Sequence, residues 1–266
     1  MHAADRAARA DTGDQWFLRA MADELLARLD LVTTQPREAL TIGRCGVYLA
    51  KILTERGVKT THCEARHATA GDNNFIQAEE DSLPFAPMQY DLVMSCGTLD
   101  SVNDLPGALI QIRRILKPGG LFLGAFLGAG SLSSLKAILK HAELEATGAA
   151  SARIHPQIDV RSAGDLLSRA GYLLPVADQD DLIVRYDDLA GLVRDLRAMG
   201  WSNGLLSRQP FTRTTLAATL HAFSQAKSAS GRFEEHMCAI YLTGWSPPDG
   251  KPKPSPRSLG EIPERQ

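Results

Sequence analysis

The sequence lacks most of the marks of a membrane, nucleic-acid-binding or metal-binding chain. No apolar run approaches the roughly 20 residues needed to span a bilayer, so membrane insertion is not expected. Lysine and arginine total 29 against 31 aspartates and glutamates, and the pI is about 6.4. That near balance gives no electrostatic footprint for nucleic acid. The four cysteines, Cys45, Cys63, Cys96 and Cys238, are scattered, with no CxxC pair or zinc-like spacing, and read as small buried thiols. His62, Cys63, Glu64 and His67 are metal-ligand types, yet His62 and Cys63 are neighbours in a strand-like stretch and point to opposite faces, so no metal is expected. Arginines near the N-terminus are mixed with Asp5, Asp11, Asp14, Asp23 and Glu24. This is unlike an acid-poor transit peptide, and a cytoplasmic location is expected.

What is present is strongest between Phe75 and Phe126. YDLVMSC and GGLFLGAF are short apolar runs of the kind that form central strands of a parallel sheet covered on both faces. Between them Asp104 can cap a helix in which Leu105, Leu109, Ile112, Ile115 and Leu116 recur at helical spacing, with Pro118, Gly119 and Gly120 as its stop. Strand, crossover helix and strand make a right-handed βαβ unit. Ligands of such sheets bind at the carboxyl ends of the strands, which places a site beside Glu79 and Ser95 to Asp100.

Upstream, residues 14–30 carry Trp16, Phe17, Met21, Leu25, Leu26 and Leu29 near one helical face, as a brace or lid. EALTIG then reads as a first strand, the following stretch as a helix ended by Gly57, and VKTTHCE as a second strand ending on Glu64. This order opens a nucleotide-binding α/β fold, in which a glycine turn admits a ligand to backbone amides and an acid after strand two accepts ribose hydroxyls. The turn here keeps only Gly43 and Gly46, while Arg44, Cys45 and Val47 bring side chains to it. A GxxG turn is equally an ordinary strand-to-helix connection. FIQA is a third short strand, and Glu79, Glu80 and Asp81 follow it, one of them placed to meet an adenine amino group or all of them solvated. Asp100 is open to three roles: general base, substrate anchor or turn acid.

The C-terminal half is expected to add helices over SLSSLKAILKHAELEATG, RSAGDLLSRAGY, YDDLAGLVRDLRAMG (capped by Asp187) and TRTTLAATLHAFSQAK. LLPVADQDDLIVRY reads as two short strands around an acidic turn, and HMCAIYLTGW as an antiparallel edge strand. The organisation expected is an N-terminal helical segment over 1–35, a core over 36–130, an elaboration over 131–245 and a disordered tail over 246–266.

Strand and helix order, the acid after strand two, the LPF turn, YDLVMS and LKPGGLFL resemble a class I S-adenosylmethionine-dependent methyltransferase. More narrowly, VNDLPGALIQIRRILKPGGLFLGAFLGAGSLSSL, HPQIDVRSAGDLLSRAGY, YDDLAGLVRDLRAMGWSN and YLTGW are similar to the NADH:ubiquinone oxidoreductase complex assembly factor 5 family and its bacterial relatives. The resemblance implies a Rossmann-like methyltransferase fold with S-adenosylmethionine as cofactor. It assigns Gly43 and Gly46 to the methionine-binding turn, Glu64 to the ribose and Glu79 to the adenine edge, and sets Ser95, Cys96 and Gly97, through Leu99, beside the methyl donor. It also implies a protein substrate or a respiratory complex I subunit as partner. The sequence departs from the family where Thr41 replaces an acid, where Cys45 and Val47 replace glycines, and where Asp100 and Ser101 replace a histidine and a tryptophan. Three readings follow: methyl transfer with Asp100 as base, a non-catalytic assembly protein, or protein-arginine hydroxylation by family analogy alone.

Overall fold

Seven strands and seven helices alternate through the computed structural model, which describes residues 15–33, 35–65, 74–202, 205 and 210–248. In chain order they are α1 (Trp16–Asp30), β1 (Glu38–Ile42), α2 (Gly46–Glu55), β2 (Lys59–Glu64), β3 (Phe75–Gln77), β4 (Tyr90–Cys96) and α3 (Leu105–Ile115). They continue as β5 (Leu116–Leu127), α4 (Ser133–Thr147), α5 (Val160–Arg169), β6 (Leu173–Tyr186), α6 (Leu189–Ala198), α7 (Arg213–Gln225) and β7 (Phe233–Trp245). One sheet contains all seven strands in the order β3-β2-β1-β4-β5-β7-β6. β1 to β5 pair in parallel, and β7 runs antiparallel to both of its neighbours. This is the Rossmann-like methyltransferase architecture, and the strand order reverses between β1 and β4, where a crevice opens at the carboxyl ends.

The apolar patterns explain the layers. β4 and β5 are buried on both faces, as central parallel strands must be. One core joins α1, α2, α6 and the even-numbered side of β4, and the other packs α3 and α5 against the opposite face through Ile112, Ile115, Leu167 and Phe122. α1 buries Phe17, Leu18, Met21, Leu25, Leu26 and Leu29, and each such side chain contributes about 1.5–3 kcal/mol of transfer free energy. The helix is thus a brace, tied to α6 by Trp16 Nε1 donating to Asp195 and Gln15 Nε2 donating to the Ala198 carbonyl. The Asp104 carboxylate accepts from Gly107 N and starts α3 as expected.

Four expectations need correction. HMCAIYLTGW is not an edge: β7 is inserted between β5 and β6, because its apolar residues on both faces demand cover on both sides. LLPVADQDDLIVRY is one continuous strand of 14 residues, its turn-like acids overridden by pairing with β7 from Val176 to Tyr186. Pro118, Gly119 and Gly120 lie inside β5, where a register irregularity opposite Tyr90 and Leu92 absorbs them. Asp188, not Asp187, caps α6 through Gly191 N. Of the residues 246–266 expected as a disordered tail, Ser246 is buried and exchanges backbone hydrogen bonds with Gly119 and Gly120. Residues 249–266 and the first 14 lie outside the described residues.

Candidate functional site

The crevice lies at the carboxyl ends of β1, β2 and β4. Gly43 leaves β1 with φ +94°, and a Cβ there would lie 2.6 Å from Thr98 Cγ2 and 2.7 Å from the Cys96 carbonyl oxygen. Only glycine fits that conformation and that contact. Gly46 opens α2, and a Cβ on it would overlap the His62 ring. Gly97, at φ +78°, leaves β4, and a Cβ there would come within 2.5 Å of Leu18 in α1. The glycines expected to admit a ligand therefore serve, in this chain, the approach of its own side chains.

Arg44 is the centre of the arrangement. It is buried, and its Nη1 donates to the Gly97 carbonyl. Its Nε is buried with no hydrogen-bond partner. Gly200, just after α6 and at φ +75°, lies so close over the guanidinium that a Cβ would overlap it. Its charge is near enough to Glu80 and Asp100 to oppose the effect of burial on each. Sequence reasoning saw that Arg44 brings a side chain into the turn but not where it goes, and it chose Glu79 over Glu80. Glu79 is half-buried, whereas Glu80 is the enclosed carboxylate of the pair.

Burial pushes the Glu80 carboxyl above its ordinary value, and the Thr98 hydroxyl and the Arg44 charge only partly oppose it. A raised folded value means that this group's contribution to stability is full below the unfolded value, about 4.5, and is lost as pH rises through the folded one. Glu80→Gln removes that loss. Its unfolding midpoint relative to the unmodified chain is therefore expected to climb between pH 4.5 and 7.5. Thermal melts across that range check it, and an offset independent of pH would show that Glu80 titrates as a solvated acid.

The other expected residues lie at or just beyond the carboxyl ends of β2 and β4. Glu64 ends β2, 3% exposed, with Oε2 at 3.7 Å from His62 Nε2. Ser95 is wholly buried, and its Oγ has no hydrogen-bond partner. The Cys45 thiol and burial hold Cys96 well above the ordinary thiol range, so it packs and does not ionise. Asp100 lies further out on the β4 loop. Burial raises its carboxyl, with Arg44 and then His155 opposing, and its Oδ1 has no hydrogen-bond partner. The indole Nε1 of Trp201 is also buried without one. Trp201, Gly200 and His155, which the sequence did not single out, line a cavity of about 40 Å³ beside Asp100. No group of three metal-ligating side chains occurs among the described residues.

A nucleoside-sulfonium cofactor is the ligand this crevice would hold by fold. Arg44 on the Gly97 carbonyl and the enclosed Glu80 fill the turn that such a ligand would approach. Arg44 in the glycine turn opposes that ligand, whereas Glu64, buried at the end of β2, suits it.

Residues 40–124 match the family model described as a methyltransferase domain. The chain is 33% identical over 244 residues to a zebrafish (Danio rerio) protein named arginine-hydroxylase NDUFAF5, mitochondrial, covering 88% of this chain and 75% of that one. The mammalian counterparts are matched over little more than half their length, 55–57%. It is 30% identical over 279 residues to a malonyl-[acyl-carrier protein] O-methyltransferase of Methylovorus, covering 92% of this chain and 90% of that one. Among solved structures, the YcgJ protein of Bacillus subtilis superposes with a TM-score of 0.58 at 15% identity, over 85% of this chain and 98% of that one. The chain belongs to the class I S-adenosylmethionine-dependent methyltransferase superfamily, as a relative of the NDUFAF5 proteins.

Proposed function

We propose that this chain acts as a non-catalytic assembly protein on a methyltransferase fold, binding a protein subunit of respiratory complex I without using S-adenosylmethionine. The observation that carries this reading is Arg44. Its guanidinium sits on the Gly97 carbonyl inside the glycine turn, so an internal cation stands where a sulfonium cofactor would approach the backbone. The loss of an acid at Thr41 and of glycines at Cys45 and Val47 points the same way. The partner class comes from the kinship with the assembly factor 5 family. Titration calorimetry with S-adenosylmethionine tests it: no heat is expected up to about 1 mM ligand, a Kd weaker than about −4 kcal/mol of binding. A saturable isotherm in the unmodified protein would end this reading.

A second reading, S-adenosylmethionine-dependent methyl transfer, is favoured by Glu64, which is buried at the end of β2 where ribose hydroxyls would meet it. It requires Arg44 to leave the crevice. Binding that is lost on Glu64→Ala would support it. Asp100, its carboxyl raised by burial, would in that case be the candidate base. Arginine hydroxylation is carried only by the name of the NDUFAF5 relatives, and no arrangement of residues here favours it.

A further inference from the structure

β6 is the last strand of the sheet, and no described strand covers its outer side. An unpaired edge presents a row of backbone donors and acceptors, and proteins ordinarily blunt it with lysine, proline, bulges or a short strand. Here Pro175 and the register irregularity between Leu173 and Val176 sit at the start, and Arg185 at the end is engaged by Glu234. Between these points the strand runs regularly, no described strand pairs with its outer side, and its charged residues are the acids Asp178, Asp180 and Asp181. Its faces alternate. Asp178, on the α1 side, is held by both Nη atoms of Arg28. Next come Asp180 and Leu182 on that same face and Asp181 and Ile183 on the other, with Leu182 and Ile183 43% and 47% exposed. Each face of the edge therefore offers a carboxylate followed by an aliphatic side chain.

We propose that the outer edge of β6 is a docking strand for a basic extended segment of a partner protein, added to the sheet as an eighth strand. The backbone edge supplies the hydrogen bonds of strand addition, and the side chains select the occupant. Opposite charges directly across a strand pair stabilise it, as do pairs of aliphatic side chains, and like charges oppose it. A lysine or arginine pair opposite Asp180 and Asp181, followed by β-branched residues opposite Leu182 and Ile183, satisfies both faces. A second copy of this chain does not. Its own β6 carries one basic residue, Arg185, and antiparallel self-pairing centred between Asp180 and Asp181 sets the carboxylates of the two copies against one another. The surface is separate from the crevice, so its test and the cofactor titration succeed or fail independently.

The probe is a labelled peptide in which a lysine pair and a valine–isoleucine pair are repeated twice, with a control carrying a central proline. Fluorescence anisotropy is expected to show binding of the first and not of the second. Hydrogen exchange on the full chain is expected to slow the outward-facing amides within residues 176–185 at least tenfold. Asp180→Lys with Asp181→Lys, both at an exposed edge, is expected to weaken binding at least tenfold while leaving the exchange of the central strands unchanged. Equal binding by the double variant would overturn the proposal. So would protection elsewhere than β6, or a concentration-dependent dimer that protects β6 without peptide.

Discussion

Gly200→Ala is expected to cost about 3 kcal/mol, a drop of roughly 6–12 °C in the unfolding midpoint at about 2–4 °C per kcal/mol for a chain of this size. Two effects add. Gly200 has φ +75°, a conformation that costs an L-residue about 1–2 kcal/mol. The new methyl would also overlap the Arg44 guanidinium, and overpacking of a closed site costs about 1–3 kcal/mol. The second term depends on Arg44 and the first does not. Introduced into an Arg44→Ala background, the same substitution should therefore cost only the backbone term. A double-mutant cycle measured by thermal melts should return a coupling of about 1–2 kcal/mol. An additive cycle would mean that Arg44 does not lie beneath Gly200, and the account of the crevice would lose its central contact.

That contact also marks the limit of what the sequence shows. The strands and helices were legible because their signals are local: the continuous apolar runs of β4 and β5, the helical spacing of Ile112 and Ile115, and the Asp104 cap each announce their state within a dozen residues. The positions of Gly43, Glu64 and Gly97 in one crevice follow from strand order, which those signals fix. The destination of Arg44 does not follow, because it is decided by Gly97, Glu80 and Gly200, three elements far apart in the chain. β6 was misread for a related reason. Asp178 to Asp181 has the composition of a turn, and only the register along β7, with Asp178 held by Arg28, makes it a strand. Local propensity gave way to long-range pairing in both places where the site and its surroundings differ from expectation.

Arg44→Gly is expected to turn a silent calorimetric titration into a binding isotherm. The substitution takes the donor from the buried Gly97 carbonyl and the nearby cation from Glu80 and Asp100. A buried acceptor left without a partner costs about 1–3 kcal/mol, so the variant alone should be less stable. The vacated space is lined by acceptors and is suited to a ligand that brings positive charge with it. S-adenosylmethionine carries a sulfonium and an ammonium, and its ribose would be met by Glu64, still in place at the end of β2. Binding at least tenfold tighter than in the unmodified chain is expected, a gain of about 1.4 kcal/mol or more, together with a ligand-dependent rise in the unfolding midpoint. Adenosine, which has no cationic group, should not restore stability to the same extent. If the variant folds and remains silent with the charged ligand, Arg44 is not what closes the crevice, and the losses at Thr41, Cys45 and Val47 must carry the exclusion instead.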